Sequence, residues 1–478
     1  MSQILTRFGE IHRRDPARPL LHVPGVAAQW SAADIWNAHL RYADLLTSLG
    51  LGPGELVLSA AGNSPASVVL LLACRAAGVA IMPVDAGATL PEVLLFADRF
   101  AASAMVVPAA FDRVPEIERA PAVALEPGLD LIRLRHQAAR AYPGAAILKL
   151  TSGSTGPVKA TLTSEAQMVA DGAHIVAAMG ITASDTQIAS VPISHAYGLG
   201  SLMMPLLMLG TPCVLRDSFV PHQLPADARR FGARIFPGVP YMFEYFLSHP
   251  PDDGWPPSLQ LLISAGAPLS TATVRAFHAR FGVKIHSLYG ASETGAIAFD
   301  LGDEVDDSGA VGTPLPGVTI SLQEEGGRIH VRSDAVADGY SDATRDGFVN
   351  GGFLTSDIGA WDDRGRLTLL GRASSFVNVA GRKVQPEEVE RVLREMPGVR
   401  DVRVLAAPDS RRGQQIVACI VADPSARVGV VDVRRFCSAR LASYKIPRSV
   451  VFLDALPITS RGKVDRVALD ELVRHRLG

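Results

Sequence analysis

Cysteine is scarce in this chain, and the four residues present, Cys74, Cys213, Cys419 and Cys437, are far apart with no C-x-x-C spacing. That excludes a disulfide framework and a thiolate zinc site, and it reads as buried free thiols in a reducing compartment. Excess charge of one sign is missing as well. Lys and Arg number 46 against 48 Asp and Glu, a formal net charge of −2, so no global basic field draws nucleic acid or an anionic membrane. Any anion affinity must be local. Met1 to Pro16 carry Arg7, Glu10, Arg13, Arg14 and Asp15 and no apolar core of signal-peptide length, and the expected location is the cytoplasm. No uninterrupted run of membrane-spanning length occurs. The uncharged region Ala196–Leu215 comes nearest, but Gly198, Gly200, Pro205, Gly210 and Pro212 divide it into a core helix and a following strand. Two nucleotide signatures are absent too: there is no Walker loop, and no G-x-G-x-x-G follows a strand.

What is present is a globular composition, 48% hydrophobic and 20% charged over 478 residues, enough for a large core and more than one domain. The informative stretch is Leu148-Lys-Leu-Thr-Ser-Gly-Ser-Thr-Gly-Pro-Val-Lys-Ala-Thr161. Gly153 and Gly156 let main-chain N–H groups approach an anion. Thr151, Ser152, Ser154 and Thr155 add hydroxyls, and Lys159 adds a point charge. The apolar run Ala145–Leu150 predicts a strand leading in, and Ser164-Glu-Ala-Gln167 has the form of a capping box opening a helix. The stretch reads as a phosphate-binding loop between strand and helix; by composition alone an ordinary polar turn stays open.

Around it runs an α/β rhythm: strands at Leu56–Ala60, Ala80–Val84 and Ile188–Val191, and helices at Ser64–Ala77 and from Ser164 through Gly180, the pattern of crossovers on a parallel sheet. Phe100–Tyr142 is less regular, with one strand at Ala104–Val107 and surface connection beyond. His195 ends a strand, where ligands bind in such folds. Ser264-Ala-Gly266-Ala267-Pro places small residues after a strand, where a flat ring fits against backbone. Tyr289, Gly290, Ser292 and Glu293 supply an aromatic face, a flexible position, a hydroxyl and a carboxylate for base stacking and Mg²⁺. Past Asp300 short alternating strands predict a β subregion, with Asp357 suited to ribose hydroxyls. Gly371-Arg372 reads as a domain joint. A small α+β domain follows, ending in Pro457-Ile-Thr-Ser-Arg-Gly-Lys463. Alone, each of His195, Glu293 and Lys463 also reads as an ordinary structural or surface residue.

Together, Thr151–Lys159, Tyr289–Glu293, Thr355–Asp357 with Gly371-Arg372, Gly381–Glu390 and Pro457–Lys463 resemble, in that order and across essentially the whole chain, the adenylate-forming superfamily of acyl- and aryl-CoA synthetases, peptide-synthetase adenylation domains and luciferases. The resemblance implies an α/β fold. A large N-terminal domain of parallel-rich sheets with a β subregion (1–371) binds ATP and the acid. A small mobile C-terminal α+β domain (372–478) carries the adenylation lysine. It implies a two-step ligase using ATP, Mg²⁺ and coenzyme A, in which an acid attacks the α-phosphate and a thiol then displaces AMP. By resemblance, Thr151 to Gly156 and Lys159 hold phosphates, and Gly266, Ala267, Tyr289, Gly290 and Ser292 line the base. Glu293 binds the metal. Asp357 holds ribose and Arg372 supports the nucleotide. Lys463 acts in adenylation, and the loop at Gly381 serves the thiol step.

The segment Pro192-Ile-Ser-His195-Ala-Tyr197-Gly-Leu-Gly-Ser201 resembles the acid-pocket segment of fatty acyl- and coumarate-type ligases, with His195 near the substrate carboxylate. It lacks the aspartate that amino-acid-activating members place there. The remaining wall candidates, Tyr197, Ser201, Val239, Gly290, Ala296 and Ile297, are neutral, so an aliphatic or aromatic monocarboxylic acid is expected. The chain departs from the family pattern at Pro157-Val158, Ala160, Asn378 and Ala380, and it has Ser374 where the hinge is usually Asp or Lys. Arg382 and Lys383 supply positive charge nearby. The alternatives are a stand-alone adenylating enzyme that loads a carrier-protein phosphopantetheine and a non-catalytic nucleotide-binding scaffold.

Overall fold

The computed structural model describes residues 2–25, 29–109, 111, 122–134, 141–151, 158–323, 327–372, 377–379, 382–384, 386–409, 413–458 and 464–477. Its helices start where local chemistry says they should. Ser31 caps Ala32–Ser48 and exchanges bonds with Asp34, Ser64 caps Pro65–Ala77, and Ser164 and Gln167 form the capping box of Glu165–Met179. In each, the cap oxygen accepts from a backbone N–H that the helix leaves unpaired. Gly78 and Gly180 end two of them in the left-handed region that glycine enters freely.

The chain divides into two compact units, residues 1–320 with 331–353, and residues 321–330 with 354–478. Within the first, one sheet runs 310–314, 295–299, 285–291, 261–264, 235–238, 187–189, 213–215, 19–22, 29–31. It is parallel from Ile285–Ala291 to Pro19–His22 and antiparallel at both ends. A second sheet runs 339–340, 159–163, 147–151, 80–83, 56–59, 104–108, 129–133, 122–126 and is parallel through its middle four strands. Helix Pro65–Ala77 is apolar nearly all round, with Val68 to Cys74 buried, which makes it a core helix; each such Leu or Val contributes about 1.5–3 kcal/mol. In the second unit Asp357–Trp361 pairs with Leu367–Arg372, and Val399–Asp409 and Gly413–Ala422 form a long antiparallel pair joined in parallel by Ser449–Phe452. These are the large parallel-rich sheets and smaller α+β part expected from sequence.

Ala196–Leu215 is divided into helix and strand as its glycines and prolines predict, but the helical part is itself broken, with turns 196–198 and 204–209 on either side of a π-helical segment Leu199–Met203 before strand Cys213–Leu215. No helix among the described residues is long and apolar enough to cross a membrane. Some elements differ from the sequence reading. The phosphate-loop stretch leads not straight to a helix but to a return strand, Lys159–Thr163, antiparallel to Ile147–Thr151, because alternating Thr161 and Thr163 suit a pleated strand. Ala122–Glu126 and Leu129–Arg133 form a further hairpin that covers the edge of Ala104–Pro108, in a region whose Ala-rich composition gives no period. A helix, Arg466–Leu477, closes the chain.

Candidate functional site

The hairpin Ile147–Thr151 and Lys159–Thr163 pairs Thr151 with Lys159 and so fixes both ends of the phosphate-loop stretch. Ser152, Gly153, Ser154, Thr155, Gly156 and Pro157 lie outside the described residues. The Lys159 ammonium donates to Thr344 Oγ1 at 2.8 Å and lies 3.1 Å from Asp342 Oδ2 and 3.4 Å from Asp346 Oδ2. It also stands over the Tyr340 ring at 5.3 Å. The Thr344 hydroxyl on Asp342, with help from Lys159, holds that carboxyl at about 2. The Asp342 contact in turn raises the pKa of Lys159.

Tyr289 lies on the strand Ile285–Ala291 and is 7% exposed; Gly295–Phe299 returns antiparallel beside it. Gly290 is required there, since a Cβ would stand 2.7 Å from the carbonyl of Gly295. The turn between the strands carries Ser292 and Glu293, and it is fastened from several sides. Thr161 Oγ1 donates to the Ser292 carbonyl at 3.5 Å, and Ala337 N–H to the Glu293 carbonyl at 2.8 Å. Tyr340 Oη donates to Glu293 Oε1 at 2.9 Å. Burial and the Glu293 charge push the Tyr340 phenol far up, so it stays a neutral donor. Gly266, with φ +81°, and Ala267 are exposed just beyond strand Leu261–Ser264. Half-buried Glu293 offers a carboxylate already oriented by one phenol. No cluster of three ligating side chains exists among the described residues. One carboxylate, with other ligands drawn from phosphates and water, is a donor set that fits Mg²⁺.

His195 precedes the helical turn Ala196–Gly198, its Nε2 3.9 Å from Asp85 Oδ2. The segment leading to it is held by Asn63, buried at 5% exposure. Asn63 Nδ2 donates to the carbonyls of Ala189 (3.2 Å), Val191 (3.0 Å) and Arg216 (2.9 Å), and its Oδ1 accepts from Ile193 N–H at 2.9 Å. Tyr197 gives its hydroxyl to the Ile263 carbonyl at 3.0 Å, and burial pushes its phenol far up. Ser201, 1% exposed, has an Oγ without a hydrogen-bond partner. Ala296 and Ile297 are buried on strand Gly295–Phe299, while Val239 is half-buried at the N-cap of helix Pro240–Ser248.

In the second unit, Asp357 and Arg372 sit opposite each other across paired strands, with Arg372 Nε 2.9 Å from Asp357 Oδ1. Gly381, Lys463 and Ser374 lie outside the described residues.

The structure thus joins Lys159, Tyr289, Ser292 and Glu293 in one neighbourhood through Thr161 and Tyr340. Sequence reasoning missed Asn63, Tyr340, Asp342, Lys149 and Asp171. The last two carried a signal, a lysine and an aspartate inside apolar runs. Asn63, beside a helix cap, reads as a turn residue, and Tyr340 reads as β-subregion filler.

The model of the AMP-binding enzyme family matches residues 10–341, and that of the AMP-binding enzyme C-terminal domain matches 388–463. A sulfoacetate–CoA ligase of Cupriavidus necator is 29% identical over 451 residues, covering 88% of each chain. ATP-bound MatB from Rhodopseudomonas palustris superposes with a TM-score of 0.83 at 25% identity over 100% of both chains. The amide bond synthetase McbA from Marinactinospora thermotolerans gives 0.84 at 25% identity, covering 98% of this chain and 99% of that one.

Proposed function

We propose, for a chain that belongs to the AMP-binding enzyme family and is an acyl- or aryl-CoA ligase by type, that it joins a fatty or aryl carboxylic acid to coenzyme A through an acyl-adenylate. The observation that carries this reading is the fastening of the Glu293 turn to the phosphate-loop hairpin by Thr161. It holds the turn that bears Glu293 against the hairpin whose facing ends, Thr151 and Lys159, flank the glycine- and hydroxyl-rich stretch of the sequence.

In the first step a carboxylate oxygen of the acid bonds to the α-phosphorus of ATP, and pyrophosphate leaves. The hydroxyls and main-chain N–H groups of Thr151 to Gly156 cradle the leaving phosphates, with Lys159 released from its aspartates to join them. Tyr289 offers its ring to adenine beside Gly266 and Ala267. Glu293 would hold Mg²⁺, which would supply positive charge to the phosphates. Asp357, its carboxylate oriented by Arg372, accepts the ribose hydroxyls. His195 holds the acid's carboxylate, and Lys463 neutralises charge between that carboxylate and the α-phosphate. In the second step the thiol sulfur of coenzyme A bonds to the acyl carbon and AMP leaves, with the Gly381 loop serving the thiol.

The wall residues favour an apolar acid. The Tyr197 hydroxyl is already committed to a backbone carbonyl, which leaves its ring as the contact surface. Val239, Ala296 and Ile297 add aliphatic surface, and none of the wall candidates carries a cation to meet a second anionic group such as the sulfonate of sulfoacetate. The test is acid-dependent ATP–pyrophosphate exchange across aliphatic, aryl and amino acids, followed by AMP release with and without coenzyme A. Exchange with an apolar acid, accelerated to turnover by coenzyme A, is the expected result. Exchange without a coenzyme A effect would move the acceptor to another nucleophile, an amine among them; absence of exchange with every acid would overturn the reading.

A further inference from the structure

Two buried charges have no part in the chemistry above. Lys149, 6% exposed, lies on the strand entering the phosphate loop; Asp171, 9% exposed, lies on the helix that follows the hairpin. A charge at such depth is costly unless opposite charge or hydrogen bonds compensate it. The Asp171 carboxylate is built into the backbone around Glu293. Its Oδ1 accepts from Ala296 N–H at 2.8 Å. Gly295 passes so close that a Cβ would fall 2.3 Å from Oδ1, and one on Gly200 would fall 2.9 Å from Oδ2. Two glycine backbones therefore clamp this carboxylate, one at the end of the Glu293 turn and one in the segment that carries Ser201. Lys149 faces Thr161 in the hairpin register, and Thr161 holds the Ser292 carbonyl. Burial lowers the pKa of Lys149, opposed by the charges of Asp171 and then Glu293. Burial raises that of Asp171, opposed first by Lys149.

We propose that Lys149 and Asp171 are positioning residues for Glu293. Asp171 fixes the backbone that leaves the turn, and the two opposite charges together set the field in which the Glu293 carboxylate takes a divalent cation. The inference rests on the assignment of Glu293 as the metal ligand.

The sign of the effect separates this role from simple packing. Removing the lysine charge leaves a more negative surrounding and tightens cation binding. Removing the aspartate charge leaves an unbalanced ammonium and weakens it. Removing both restores a near-neutral surrounding. The probe is Mn²⁺, titrated by electron paramagnetic resonance into the full chain with α,β-methylene-ATP, beside thermal unfolding of each variant. Asp171→Asn keeps an oxygen for Ala296 N–H and is expected to weaken Mn²⁺ binding roughly tenfold, while Lys149→Met strengthens it by a similar factor. Lys149→Arg and the double variant Lys149→Met/Asp171→Asn, which buries no net charge and so guards against loss of folding, are expected to stay within about twofold of wild type. Variants that all weaken binding in step with their loss of thermal stability would overturn the proposal and leave the pair a packing feature. Glu293→Gln is the control for the premise. If it leaves Mn²⁺ binding unchanged, the metal assignment falls and this proposal with it; if it weakens binding while the charge variants do not diverge in sign, only the proposal falls.

Discussion

Asn63 is the residue whose loss is most readily worked out from the structure. One amide joins four backbone groups on two segments: the carbonyls of Ala189 and Val191 and the N–H of Ile193 on one, and the carbonyl of Arg216 on the other. Its two hydrogens serve three carbonyls, so Asn63→Ala removes about three bonds' worth of pairing and leaves the partners stranded in a buried site. At about 1 kcal/mol per bond, with part of the desolvation cost added, the loss is about 3–4 kcal/mol. Asn63→Asp should be worse than Ala although its shape is nearly unchanged, because an ionised carboxylate turns an oxygen toward carbonyls that need a donor. The gap between the two variants should narrow as pH falls and the introduced carboxyl protonates. Urea unfolding at constant slope measures the stability change, and acid-dependent pyrophosphate exchange reports whether the segment bearing His195 has lost its place. An alanine variant within about 0.5 kcal/mol of wild type, or an aspartate variant more stable than alanine at neutral pH, would refute the reasoning.

Other expectations follow from the same geometry. Asp342→Asn should release Lys159 toward phosphate and raise the apparent affinity for ATP roughly threefold in an equilibrium binding titration. The Asp342 carboxyl is held down at about 2, so its contribution is full above the ordinary aspartate range and is lost as pH falls through about 2; the gain should therefore be constant from pH 6 to 9. Gly295→Ala combines φ +71° with a Cβ 2.3 Å from Asp171, and unfolding should show a loss of about 3 kcal/mol. Ser201→Ala removes a buried hydroxyl that has no partner and should stabilise the chain by about 1 kcal/mol; a lower melting temperature would show that the hydroxyl is satisfied. Lys463→Ala should abolish adenylate formation, read as acid-dependent exchange, while ATP still binds in the same titration.

The helix starts at Ser64 and Ser164 were legible because each depends on residues within three positions of itself, and so was the break of Ala196–Leu215 into helix and strand, since glycine and proline act locally. The return strand Lys159–Thr163 was not. Five residues carry too little period, and the strand exists because it pairs with Ile147–Thr151 and Gly339–Tyr340. In the site, Tyr289 and Glu293 stand out as a motif, but the groups that aim them come from elsewhere: Tyr340 lies 47 positions from Glu293, and Asp171 lies 125 from Ala296. Lys159 shows the same limit. Its charge was visible and its pairing with Asp342, Thr344 and Asp346 was not, because those partners sit in a polar turn that by itself reads as solvated surface.

The π-helical segment Leu199–Met203 has a consequence for how such a chain diversifies. A π turn holds one more residue than an α turn over nearly the same rise. The helix before it is therefore turned by roughly 100° relative to a continuous α-helix, while Met204–Leu209, anchored in the core, keeps its facing. Deleting one residue between Leu199 and Met203 would re-aim Tyr197 without disturbing Leu206 or Leu207. Changing length at this turn is thus a single genetic event that re-aims one helical face, where substitution alone would have to rebuild that face residue by residue.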